Sequence, residues 1–154
     1  HSKWARVADA ALIDFSTFMT GELFAALKGH TILGRGFEAG GDAAGAARGF
    51  SAGLETAREG LSGALFQTRA RMLLGALPAR EAEAFLSGLL IGAEIEEGLA
   101  RHGTPVRPPL LVGAPGLAAR YADAFAARGI ATEAAGEETA AAGLFAIARA
   151  ARLL

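Results

Sequence analysis

Cysteine is absent from the 154 residues, which excludes disulfides, thiolate metal sites, iron–sulfur clusters and a cysteine nucleophile. Lysine occurs only at Lys3 and Lys28, neither of them in a Gly-Lys-Ser/Thr sequence, so a Walker A loop is excluded as well. Histidine is scarce: His1, His30 and His102 are widely spaced and lack i,i+4 partners, a poor basis for a histidine metal site. Charge of one sign is also lacking. Fifteen Lys+Arg against sixteen Asp+Glu leave a formal net charge of -1, with no broad footprint for nucleic acid or an acidic membrane. The longest apolar stretch, Phe85 to Ala93, is interrupted by Ser and Gly and closed by Glu94. It falls far short of the roughly 20 residues that a membrane span needs.

What is present is apolar content, 52% of the chain, enough for a folded domain at a length that buries about two-thirds of its unfolded surface. No basic segment followed by an apolar core opens the chain, so no signal peptide is expected and the default address is the cytoplasm. Trp4, Val7 and the pair Leu12/Ile13 flank a small turn at Asp9-Ala10-Ala11, which predicts a β-hairpin of Lys3–Ala8 and Leu12–Thr17. A chain that opens in mid-strand reads as a fragment of a longer protein.

From Thr20 the apolar period changes from two to between three and four. Thr20 is the expected N-cap, Glu22 complements the positive helix end, and Leu23, Phe24 and Leu27 form the expected buried stripe, with Gly29 closing. Gly34–Gly41 reads as a loop. Helical spacing returns at Phe50, Leu54, Ala57 and Leu61, and again at Leu65, Met72 and Leu73. Pro78 suits a first helical turn and starts a further helix to about Arg101. That helix is apolar nearly all round, and Gly88 and Gly92 lie one turn apart, so a second element is expected to approach it closely. Glu94, Glu96 and Glu97 read as its wet face. After the Pro-rich connector Thr104–Pro109, Leu110-Leu111-Val112 is a buried strand. Gly113-Ala114-Pro115-Gly116 is a turn into the helix Leu117–Arg128, Ile130–Thr132 is a second strand, and Glu137–Leu153 is a closing helix with Leu144, Ile147 and Leu154 near one side. Hairpin, large helical insertion and two short parallel strands with helices make an α/β chain.

Two places suit an anion. At Gly113-Ala114-Pro115 a glycine before a helix start admits a ligand to the backbone, although an ordinary βα turn needs the same glycine for geometry. Thr20-Gly21-Glu22 also follows a strand and opens a helix, and a plain capped helix would look the same. Lys3 is a phosphate candidate or a solvated edge-strand residue. Arg69 and Arg71 suit a carboxylate clamp or a surface with buried stems. Read from residue types alone, the chain reaches no reaction.

Four segments taken together resemble the C-terminal half of the 2-dehydro-3-deoxygalactonokinase family. They are His1-Ser2-Lys3-Trp4, Thr17-Phe18-Met19-Thr20-Gly21-Glu22-Leu23-Phe24, Phe85-Leu86-Ser87-Gly88-Leu89-Leu90-Ile91-Gly92-Ala93-Glu94, and Ala119-Arg120-Tyr121. The resemblance implies the two-lobed fold of sugar kinases, actin and the large heat-shock ATPases, with residues 1-154 as the C-terminal lobe. It implies transfer of the γ-phosphate of Mg-ATP to the 6-hydroxyl of 2-dehydro-3-deoxy-D-galactonate, with ATP and Mg2+ between the lobes. His1 and Ser2 would follow a phosphate-binding turn, Thr20, Gly21 and Glu22 would face the nucleotide cleft, and Gly113, Ala114 and Pro115 would form the adenosine-side turn. Ala114 stands where this superfamily often has a second glycine. The Ala142-Gly143 helix would pack nearby. The catalytic base would belong to the N-terminal lobe, so no catalytic residue is assigned to this chain, and the chain alone is expected to be inactive. The partners expected are that lobe, ATP and a small sugar acid, with self-association through apolar surface that the lobe would cover. The competing readings are a kinase for another sugar or sugar acid, and a non-catalytic helical interaction module.

Overall fold

The computed structural model describes residues 1–136 and 138–153, and these divide into two compact units, His1–Thr104 and Pro105–Leu154. In the first unit, β1 (Ser2–Ala8) and β2 (Ala11–Phe18) form an antiparallel hairpin one residue longer at the outer ends than the pattern predicts. Its two-residue turn puts Asp9 and Ala10 at φ 49° and 60°, the left-handed pair whose twist matches that of the strands. The register shifts between Arg6 and Val7, so Ile13 has no partner across the ladder. On β2, Ser16 and Phe18 are buried while Leu12 and Phe15 stay exposed.

Four helices follow: α1 (Thr20–His30), α2 (Ala43–Thr56), α3 (Leu61–Leu73) and α4 (Ala82–His102). Helix α4 is the axis of this unit. Its residues Phe85, Leu86 and Leu89 are fully buried, with Ala64, Leu77, Ala82 and Leu90 around them and Phe24, Leu27, Phe37 and Met72 packed outside. The closest packing is with α2, where glycine replaces side chain at the crossing. A Cβ on Gly53 would collide with the Phe85 carbonyl oxygen, and one on Gly88 with the Phe50 carbonyl oxygen. The expected close approach at Gly88 and Gly92 is therefore met by α2 and by Ala57 just beyond it.

Several expectations are corrected. Helix α4 starts at Ala82 rather than Pro78, because residues 78–81 close a turn in which the Glu81 N–H donates to the Pro78 carbonyl at 2.9 Å. Leu23 is exposed, so the inward stripe of α1 is Phe24 and Leu27. Thr20 is the first helical residue and caps nothing with its side chain; Met19 occupies the cap. Helix α1 runs on past Gly29 to His30.

In the second unit, β3 (Leu110–Leu111) pairs in parallel with β4 (Glu133–Ala134), Leu110 opposite Glu133. The strand expected at Ile130–Thr132 lies three residues later. Residues 127–130 are occupied instead by the end of α5 (Pro115–Ala126), where Gly129 at φ 71° lets the Ile130 N–H turn back onto the Phe125 carbonyl at 3.1 Å. Pro115 starts α5 two residues earlier than expected, at a position that needs no N–H. The closing helix α6 spans Thr139–Ala150, shorter than predicted; Glu137 and Leu154 lie outside the described residues.

Candidate functional site

The side chains brought together most tightly in the first unit surround Glu94. Strand β1 alternates, so Ser2 and Trp4 share a face, and both donate to Glu94 Oε1: Ser2 Oγ at 2.6 Å and Trp4 Nε1 at 2.8 Å. Thr20, the first residue of α1, donates its hydroxyl to Glu94 Oε2. Glu94 itself lies in mid-α4 and is 3% exposed. A buried carboxylate is tolerated only when donors replace its lost water, and here three do. The wet-face reading therefore holds for Glu96 and Glu97, which are exposed, and fails for Glu94. Its phase explains why: Glu94 falls one turn after Leu90 and Ile91 and one turn before Gly98, on the buried side.

Gly98 completes the arrangement. A Cβ there would sit 2.5 Å from the Trp4 ring, so its absence lets the indole lie against α4 with Nε1 reaching Glu94. Trp4 also meets Phe18 edge-on and the His102 ring stacked, each with centroids 6.0 Å away. His102 bonds Ser16 Oγ through Nε2 at 2.9 Å and Asp14 Oδ2 through Nδ1 at 3.0 Å. The Phe15 backbone N–H, and then His102, hold the Asp14 carboxyl below the usual range. This serine–histidine–aspartate chain ties β2 to the end of α4. Ser16 is buried, which denies it the access a nucleophile requires. Residues 49–53 spell Gly-x-Ser-x-Gly, yet they lie within α2 and not on a strand-to-helix turn, so they form no nucleophile elbow.

The structure thus gathers five of the expected residues at one place. His1 Nε2 pairs with Glu22 Oε2 at 2.8 Å with both side chains about half exposed, and Gly21 is open to solvent between Thr20 and Glu22. Each hydroxyl carries a single proton, and those of Ser2 and Thr20 are both given to Glu94. What remains for an anion is the backbone N–H groups at the start of α1. Lys3 is exposed. Arg71 lies over the Phe85 ring at 5.4 Å and bonds Gln67, a core-facing role and no carboxylate clamp.

Gly113, Ala114 and Pro115 belong to the second unit. Gly113 and Pro115, though not Ala114, line a depression of about 310 Å³ together with Leu111, Ala118, Ala122 and Ala134, among others. The walls are built largely from alanines, and a Cβ on Gly113 would have no protein atom within 4 Å. Ala142 and Gly143 lie on α6 of the same unit.

A family model described as 2-keto-3-deoxy-galactonokinase matches residues 1–147. The chain belongs to this family. It is 44% identical to a protein described as a 2-dehydro-3-deoxygalactonokinase in Rhizobium meliloti (strain 1021), over 97% of this chain and 50% of that one. It is 38% identical to the 2-dehydro-3-deoxygalactonokinase of Escherichia coli (strain K12), over 97% of this chain and 51% of that one. A crystal structure of a protein described as a 2-dehydro-3-deoxygalactonokinase from Sinorhizobium meliloti superposes with a TM-score of 0.79 at 43% identity, covering 97% of this chain and 49% of that chain. The chain spans about half the length of these family members.

Proposed function

We propose that this chain supplies the nucleotide-side lobe of an ATP-dependent kinase that phosphorylates 2-dehydro-3-deoxy-D-galactonate on its 6-hydroxyl, in an actin-like two-lobed fold acting in the cytoplasm. The observation that carries this reading is the match along 97% of the chain to galactonokinases at 38–44% identity. Two separate features support it: in the first unit the start of α1 carries helix-start amides suited to an anion, and in the second unit, taken by itself, Gly113 borders a depression with small-residue walls. Phosphoryl transfer asks the protein mainly for positioning and charge neutralisation. In this reading the chain binds and orients ATP, while the sugar acid and the proton-accepting carboxylate belong to the N-terminal lobe.

Mg2+ would accompany ATP, and the two carboxylates of the candidate site, Glu22 and Glu94, are already engaged. Glu22 is paired with His1, and Glu94 is filled by three donors. Among the described residues no cluster of three metal-ligating side chains exists. No step of this chain is routed through the ion.

Four measurements test the reading. A protein spanning both halves should release ADP from Mg-ATP with 2-dehydro-3-deoxygalactonate in preference to related sugar acids. Turnover of another sugar only would keep the cleft and discard the substrate. Gly113→Trp should weaken ATP binding, because a Cβ here meets no protein atom within 4 Å and the ring beyond it would enter the depression. Unaltered ATP affinity would remove the adenosine-side turn from the proposal. The chain without its other lobe should show no phosphoryl transfer. Its exposed hairpin residues Val7, Leu12, Ile13 and Phe15 favour self-association, which sedimentation at several concentrations reads directly.

A further inference from the structure

We propose that Glu94 is the positioning residue of the phosphate-binding face: its carboxylate locks the first turn of α1 to the start of β1, so that the backbone amides at the start of α1 are aimed at the nucleotide phosphates. The proposal rests on the kinase reading above and assigns to α4 a part that the reading leaves empty.

Stability alone does not call for a carboxylate at this place. A buried ionic group gains little over a well-packed apolar residue of similar size, and such replacements are often neutral or favourable. The neighbouring positions on the same side of α4, Leu90, Ile91 and Ile95, show that this helix face buries apolar side chains readily. What Glu94 adds is direction. One oxygen holds two β1 residues, Ser2 and Trp4, and the other holds Thr20, so the strand start and the helix start are fixed to the same rigid group. Because both hydroxyl protons point inward, neither side chain competes for the phosphate, and the N–H groups are left to it. Trp4 lies close over Gly98 and stacks with the His102 ring one turn further along α4, which limits how far its Nε1–H can follow a displaced Glu94. Preorganised amides aimed at charge lose effect steeply when they drift. Glu94 touches no reacting atom in this scheme and acts through the backbone at Thr20, with Ser2 and Trp4 fixing the carboxylate.

The test is steady-state kinetics of the protein spanning both halves, comparing parent and Glu94→Gln. The amide keeps the size of the side chain, but its NH2 cannot accept, so the hydroxyl facing it must receive a hydrogen bond and turn its own proton away from the frame. The expected result is a rise of about tenfold in KM for ATP, with KM for the sugar acid within about twofold and Tm close to the parent. Parallel rises in both KM values, or unchanged kinetics with a lower Tm, would make Glu94 a stability residue and overturn the proposal. If Glu94→Gln fails to fold, Trp4→Phe decides by the same split, since it removes one donor and keeps a ring over Gly98. A parent that uses no nucleotide would instead bring down the kinase reading, and this proposal with it. A parent that uses ATP normally beside indifferent variants overturns only the role of Glu94.

Discussion

Between Phe85 and Gly92 every residue of α4 is buried, whereas α6, also rich in alanine, leucine and phenylalanine, has no buried residue among those described. The first unit builds density by removing side chains: glycines on α2 and α4 let two backbones touch, and large residues fill what lies beside them. The second unit holds its turn with two-residue strands and buries little beyond Ala124 and Phe125. Its apolar residues Leu117, Leu144, Phe145 and Ile147 stay exposed. The two candidate anion sites therefore rest on unlike supports. The start of α1 is anchored to the packed helix through a buried carboxylate, while the Gly113 turn sits on a ladder of two residue pairs. Local opening free energies follow packing density, so the first site is the stiffer one.

That contrast is broken most severely at its densest point. Phe85→Ala is expected to lower unfolding free energy by about 3–5 kcal/mol, whereas Phe145→Ala, at a residue 57% exposed, should change it by less than about 0.5 kcal/mol. Urea titration of the two variants measures both, and equal losses would erase the difference between the units. A glycine pair sharpens the comparison at smaller scale. Gly53→Ala forces a methyl against the Phe85 carbonyl oxygen and should cost about 1–3 kcal/mol, because backbone on backbone cannot give way cheaply. Gly143→Ala meets nothing within contact range in mid-α6 and should stabilise by up to about 1 kcal/mol through helix propensity alone. Opposite signs of Tm shift are the expected reading; a stabilising Gly53→Ala would mean the α2–α4 crossing is looser than described.

Periodicity made the hairpin, the helix of Phe85–Ala93 and the close approach at Gly88 and Gly92 legible, because each depends on residues near in sequence. The start of α4 was not, since Pro78 suits a tight turn as well as a first helical turn, and the Glu81 N–H to Pro78 carbonyl bond chose the turn. Of the candidate site, Ser2 and Thr20 were legible as backbone positions through resemblance to a family. Their common partner was hidden by company: Glu94 stands two and three residues from Glu96 and Glu97, and a run of acids reads as a solvated face. Helical phase was the available signal, since Glu94 aligns with Leu90, Ile91 and Gly98 whereas Glu96 and Glu97 do not. The donors Ser2, Trp4 and Thr20 lie 74 to 92 residues away, a separation that no local pattern encodes.

The smallest expected effect lies at the hairpin, where Asp14 accepts from the Phe15 N–H at 2.8 Å and meets His102 at 3.0 Å. Those contacts lower its folded-state pKa, so the unfolded chain binds the proton more readily than the folded one. The stabilisation is then complete above the ordinary aspartate range and is lost as pH falls through the lowered value. Arg6, its partner across the ladder, adds to the same direction. Asp14→Asn keeps an acceptor for the Phe15 amide but carries no charge. Its Tm should fall slightly below the parent's near neutral pH and converge with it in strong acid. Because the carboxylate is well exposed, solvent keeps the gap small. A gap that persists unchanged into acid would show that Asp14 shapes the turn by geometry alone, and that the hairpin, unlike the Glu94 anchor, holds its position without help from charge.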